Sequence, residues 1–153
     1  MKLWLLRHGE AEPRARSDAE RNLTEVGRAE AARSAAHLLE TPLDAILASP
    51  FNRAQQTAEV VRQTVGYSGA VETVPWVKPE SDLREAMLYL DRRSESDLLI
   101  VTHQPFVGLL AGWLVHGHRD QPISMATGSL AELEGDSIAA GLMRLVSLRH
   151  PNG

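Results

Sequence analysis

Three short apolar runs, residues 2–6, 44–48 and 98–102, each break off at a polar turn that leads into a helix-like segment. A five-residue apolar run bounded by turn residues suits a buried strand better than a helix. Strands of this kind alternating with three or four helices predict a three-layer α/β domain. Its central sheet is expected to be mostly parallel, because helices must cover both faces. If the three runs lie parallel, whatever follows them emerges at one carboxyl-end edge, where open α/β sheets bind ligands. Those following residues are Arg7-His8-Gly9, Ser49 to Arg53 and His103.

The intervening segments read consistently with this plan. Thr24 can cap a helix in which Val26, Ala29, Ala32, Ala36 and Leu39 recur at helical spacing, closed by Pro42. Ser49-Pro50 is a strong helix start, since serine can cap free amides where proline has none to satisfy. Arg53 then falls in the first turn of a helix running to about Val65, with Ala54, Ala58, Val61 and Val65 on one face. Val71 to Val74 suits a short edge strand, and a helix beginning near Ser81 would face Leu83, Met87 and Leu90 inward. Pro105 introduces an apolar helix over Val107 to Val115. Runs at Ser129 to Glu134 and Gly141 to Leu148, separated by Gly135-Asp136, predict a late antiparallel hairpin.

A chain of 153 residues fits one domain spanning 1–153, and 43% apolar with 24% charged residues is the balance of a soluble globular protein. With no cysteine there is no thiolate nucleophile and no disulfide scaffold, and a reducing cytoplasm is the simpler expectation. MKLWLL gives way at once to Arg7, leaving no room for the apolar core of a secretion signal, and no later run suits a membrane span. A net charge of −4 argues against nucleic acid or anionic lipid as partners. His116 and His118 lack a completed ligand set, and there is no dinucleotide or phosphate-binding lysine loop, so neither a metal nor another cofactor is expected.

Two arginines and two histidines at one sheet edge form a group able to move a phosphoryl group without a metal. Arg7 and Arg53 can hold its equatorial oxygens with bidentate contacts, and Arg53 sits at the positive end of a helix. His8 can attack in line, Gly9 permits close backbone approach, and His103 can donate to a phosphoryl oxygen. The nucleophile must be neutral, whereas a protonated His103 would stabilise more charge, so the two rings are expected to be pushed in different directions.

Leu5 to Glu10, Ser49 to Thr57 and Val101 to Pro105 resemble the three signatures of the histidine phosphatase superfamily, in order and over nearly the full length. Together with Ser17-Asp18, Arg21 to Gly27 and the absence of a large cap insertion, they are similar to the compact bacterial phosphohistidine phosphatases of the SixA type. The resemblance implies a phosphoglycerate mutase-like fold and a covalent phosphohistidine intermediate on His8. It also implies a phosphate pocket of Arg7, Arg53 and His103, with Arg21 either a further contact or an anchor to Asp18 or Glu20. Glu80, Asp82 and Glu10 are the candidate acids, each also readable as a surface or capping carboxylate. The implied partner is a phosphohistidine-bearing protein, a histidine phosphotransfer domain in bacterial signalling. A phosphatase or mutase for small phosphomonoesters, and a nonenzymatic phosphate-sensing or phosphoprotein-binding module, remain open alternatives.

Overall fold

The computed structural model describes residues 1–151, so the last two residues of the expected 1–153 domain lie outside the description. Ten regular elements follow one another. They are β1 (Lys2–Arg7), α1 (Glu25–Ala36), β2 (Ala45–Ala48), α2 (Asn52–Val65), β3 (Glu72–Thr73), α3 (Leu83–Leu90), β4 (Asp97–Thr102), α4 (Phe106–His116), β5 (Leu130–Glu134) and β6 (Arg144–Arg149). Short 3-10 turns interrupt the loops at Asp18–Glu20 and Pro75–Val77.

The strands form one sheet in the order β3-β2-β4-β1-β5-β6. β3, β2, β4 and β1 run parallel, while β5 is antiparallel to β1 and to β6. This is the expected mostly parallel sheet with a C-terminal antiparallel addition. Side chains alternate across it. Leu3, Leu5, Leu47, Leu98 and Ile100 pack with α3 and α4, whereas Trp4, Leu6, Ile46, Leu99 and Val101 pack with α2 and the end of the α1 segment. Both faces being covered explains why the central strands read as continuous apolar runs rather than as alternating ones. Among the described residues no helix is long and apolar enough to cross a membrane.

Register sets up the site. Arg7 pairs with Thr102 and Ala48 with Val101, so His8, His103 and Ser49, each the next residue along, leave the sheet side by side.

Two local readings are corrected. The residues Val26, Ala29, Ala32, Ala36 and Leu39 face solvent, and the buried stripe of this segment is Gly27, Glu30, Ala31, Ser34, Ala35 and Leu38. Two of the buried residues are polar because they hold functional loops, which hides the stripe from any hydrophobic pattern. Thr24 does cap the helix, its hydroxyl accepting from the Gly27 N–H at 3.0 Å. Helix α2, in turn, begins at Asn52 with Phe51 at its cap, not at Ser49. The Ser49 hydroxyl accepts only the Phe51 N–H, at 3.2 Å, and its other neighbour is His103.

Candidate active site

The loop after β1 is held against α1 at a distance only glycine permits. A Cβ on Gly9 would stand 2.2 Å from the Gly27 carbonyl oxygen, and one on Gly27 would stand 2.0 Å from that of Glu10. The expected close approach at Gly9 is thus to α1. The Gly9 N–H donates to Thr57 Oγ1 at 3.1 Å, and that hydroxyl donates to the Arg53 carbonyl at 2.8 Å, joining the loop to α2. From α1, the buried Glu30 accepts the Glu10 N–H at 2.7 Å and the Thr127 hydroxyl at 3.1 Å. Gly128, next in sequence, donates its N–H to the carbonyls of Arg7 and His8 at 3.0 and 2.9 Å, and accepts the Ser34 hydroxyl. The His8 backbone is therefore fixed from both sides.

The His8 ring is oriented by chemistry that leaves one tautomer. Its Nδ1 lies 2.7 Å from the Gly9 carbonyl oxygen, which can only accept, so Nδ1 carries the proton and Nε2 a lone pair. Arg53 Nε donates towards that lone pair at 3.3 Å. Burial, reinforced by Arg53, Arg7 and Arg21 and only partly opposed by the Gly9 bond, lowers the His8 pKa to about 4. The ring is accordingly neutral at pH 7, as a nitrogen nucleophile must be.

His103 stands edge-on to His8, with ring centroids 5.0 Å apart, and against Phe51 at 5.1 Å. Its Nε2 is 2.7 Å from Ser49 Oγ, while its Nδ1 is buried without a hydrogen-bond partner. Burial foremost, then His8 and Arg53, depresses its pKa to about 2. This corrects the expectation that the two rings would be pushed in different directions: both are driven neutral, because both are desolvated beside the same guanidinium groups. An anion beside either ring would favour its charged form.

The arginines divide their contacts. Half-buried Arg7 donates from Nη1 to the Met125 carbonyl at 2.9 Å, while its Nε is buried without a partner. Burial lowers its pKa, with Glu30 acting in the opposite direction. Arg53, 3% exposed, donates from Nη1 to the Asp18 carbonyl at 2.7 Å and from Nη2 to the Asp18 carboxylate at 3.0 Å. The same carboxylate accepts from Arg21 Nε at 2.9 Å, and Arg21 Nη1 also reaches the Glu12 carbonyl at 2.9 Å. Arg21 thus anchors the 10–22 loop through Asp18, and its charge also acts on His8 and Arg53.

The candidate acids are not gathered at His8. Asp82 caps α3, its carboxylate accepting the Arg84 N–H at 3.0 Å. Glu80 is exposed and shares with Asp82, Asp18, Phe51 and Lys78 an open cavity of about 440 Å³ beside the site. Glu10 is exposed just beyond the Arg7-His8-Gly9 loop, its backbone N–H held by Glu30. A larger cavity, about 750 Å³, lies elsewhere between α3, α4 and residues 138–140, and none of the residues expected to bind phosphate lines it. Among the described residues no three His, Cys, Asp or Glu side chains group closely enough to hold a metal ion.

Sequence reasoning missed Asp18 as the partner of Arg53, Ser49 as the partner of His103 and Glu30 as the clamp beneath the loop. Glu30 and Ser34 did leave a signal, since with Gly27 they form a stripe at helical spacing in an otherwise alanine-rich helix.

A neutral imidazole lone pair, two guanidinium groups and a second histidine thus stand together at the carboxyl edge of a parallel sheet. The chain belongs to the histidine phosphatase superfamily (branch 1), whose family model matches residues 3–88. It is 30% identical over 147 residues to the phosphohistidine phosphatase SixA of Escherichia coli K12, covering 92% of this chain and 89% of that one. It is 32% identical over 148 residues to the SixA homolog of Haemophilus influenzae, with 89% of each covered. Among solved structures it superposes on protein histidine phosphatase SixA complexed with tungstate at a TM-score of 0.89, with 29% identity over 99% of this chain and 98% of that one.

Proposed function

We propose that this protein is a phosphohistidine phosphatase of the bacterial cytoplasm that removes the phosphoryl group from a histidine phosphotransfer domain in a signalling pathway. The observation that carries the reading is the His8 tautomer: Nδ1–H is committed to the Gly9 carbonyl, so the Nε2 lone pair faces the Arg53 guanidinium. Similarity to the two SixA proteins supports the substrate class.

In this mechanism His8 Nε2 forms a bond to phosphorus as the P–N bond of the substrate breaks. The departing imidazole takes that bonding pair. If already protonated at its other nitrogen, it leaves neutral and makes little demand on an enzyme acid, in keeping with His8 taking its contacts from Gly9 and Arg53 rather than from Glu10, Glu80 or Asp82. The positive charge left on the phosphorylated His8 ring is stabilised by Nδ1–H donating to Gly9. Water then attacks phosphorus, the Nε2–P pair returns to His8, and inorganic phosphate leaves while the proton from water passes to solvent. Arg7 and Arg53 neutralise the equatorial oxygens throughout, with the Arg53 fork exchanging Asp18 for phosphate as the ligand enters. With the charge met by guanidinium groups, the reaction proceeds without a metal.

Between α2 and β4 the chain supplies only β3, a 3-10 turn and α3, which supports a domain without a large cap and a mouth open to a protruding side chain. The test compares kcat/KM for a phosphohistidine protein, an aliphatic phosphomonoester and an aryl phosphate, with mass spectrometry locating the trapped phosphoryl group. Phosphohistidine should be preferred, the aryl ester should outrun the aliphatic one, and H8A should trap nothing. Equal or faster hydrolysis of the aliphatic ester at every pH would assign the site to small phosphomonoesters instead.

A further inference from the structure

A neutral histidine has one proton and two nitrogens, so a catalytic role for His103 depends on which nitrogen holds it. The ring is 1% exposed and held neutral by its surroundings. Nε2 has a neighbour, Ser49 Oγ at 2.7 Å, and Nδ1 has none. Ser49 is itself fully buried and rigidly placed. Its N–H donates to the Val101 carbonyl at 3.1 Å, its carbonyl accepts Gln55 Nε2 at 2.8 Å, and its hydroxyl accepts the Phe51 N–H at 3.2 Å.

Two proton arrangements fit the 2.7 Å contact. If Nε2 carried the proton, the Ser49 oxygen would receive two donors, and its own hydrogen would have no acceptor among the bonds the structure forms there. His103 Nδ1 would then be a bare lone pair, buried and unpaired, which would repel an arriving phosphoryl oxygen. If Ser49 donates instead, its hydroxyl gives one bond and receives one, and the only orphan is an Nδ1–H. A buried donor without an acceptor is costly until an acceptor arrives, and the acceptor this site is built around is anionic oxygen.

We infer that Ser49 is a positioning residue of the phosphate site: its hydroxyl donates to His103 Nε2 and fixes the Nδ1–H tautomer, which leaves that N–H free for an oxygen of the transferred phosphoryl group. The inference rests on the reading of His8 as nucleophile and adds the group that makes its partner a donor. The same hydroxyl that accepts the Phe51 N–H at the start of α2 thereby couples the Arg53 helix to the His103 ring.

Long-range proton–nitrogen correlation spectra of the 15N-labelled wild-type protein, without ligand at pH 7, read the tautomer directly. His103 should be protonated at Nδ1, and the Nδ1–H should shift on adding tungstate. Protonation at Nε2 would overturn the assignment. In S49A, with folding checked by thermal melting, a population protonated at Nε2 should appear, and the single-turnover rate of phosphoryl transfer to His8 should fall about 10–100-fold. That is less than the roughly 10²–10³-fold typical of deleting a donor, because the ring remains. In an H103A background S49A should cost less than about 2-fold, as the two residues act as one unit. Full multiplication of the two losses would show that Ser49 does not work through His103. Failure of the underlying reading would look different: wild-type protein would load no phosphoryl group on His8, whatever tautomer His103 displayed.

Discussion

Lowering the pH from 7 to 5 should cost this fold about 4 kcal/mol through two buried histidines. His8 and His103 have folded-state pKa values of about 4 and about 2 against an ordinary 6.5. Above pH 6.5 both rings are neutral folded or unfolded, and neither contributes a pH dependence. As the pH falls through 6.5, the unfolded chain takes up protons at both rings while the folded protein does not, so stability is lost with acid. The loss continues until the folded rings themselves titrate. At about 1.36 kcal/mol per pH unit, the 1.5 units between 6.5 and 5 amount to about 2 kcal/mol for each ring and about 4 kcal/mol together. Both rings are buried, so solvent screening does not erase the effect. Urea unfolding of wild type, H8Q and H103Q at pH 7 and 5 measures it. Each variant should lose about half of the wild-type pH dependence, whatever its absolute stability, since glutamine does not titrate. Saturating phosphate should flatten the wild-type dependence, because an anion beside either ring favours its charged form. An H8Q slope equal to that of wild type would refute the claim that burial keeps His8 neutral.

Other outcomes follow from particular contacts. G9A should destabilise the fold by about 3 kcal/mol or more in urea unfolding, because its Cβ would meet the Gly27 carbonyl with main chain on both sides of the clash. E30A should cost about 2–4 kcal/mol by the same assay, leaving the Glu10 N–H and the Thr127 hydroxyl without their acceptor. R53K should lower kcat by roughly 10²–10³-fold with folding intact, since a point charge cannot replace a fork that donates to His8 and, in the proposed mechanism, to the phosphoryl oxygens as well. Phosphatase activity should be unchanged after rigorous chelation, and its strict recovery by one divalent ion would contradict a charge clamp made of guanidinium groups.

Residues that form strands were legible because both sheet faces are covered: Leu3 to Leu6 and Leu98 to Val101 are buried without alternation, so their apolar runs stand out in the sequence. Parallel pairing of β1, β2 and β4 was sufficient to bring Arg7, His8, Arg53 and His103 to one edge before any contact was known. What pattern could not give was direction of influence. The acidic partner of Arg53 comes from a 3-10 turn thirty-five positions earlier, and nothing in a spacing rule connects Asp18 to that guanidinium. Nor could composition show that both histidines would be driven neutral, because that depends on how little solvent reaches rings 5.0 Å apart.

The misread face of α1 shows why the proposed phosphate site resists hydrophobic patterning. A loop that presents Arg7, His8 and Gly9 to a ligand cannot satisfy its own backbone within a strand or helix, so its N–H and carbonyl groups need partners from elsewhere. Glu30 and Ser34 supply them from the buried side of α1, through Glu10, Thr127 and Gly128. An apolar residue at either position would improve the hydrophobic stripe and orphan the loop. Ser49 illustrates the same trade at α2, where a hydroxyl that reads as a helix cap spends its second bond on His103. Polar side chains on the inner faces of the helices flanking the site are therefore part of the site. Their burial, more than the motif residues alone, marks where the chemistry is anchored.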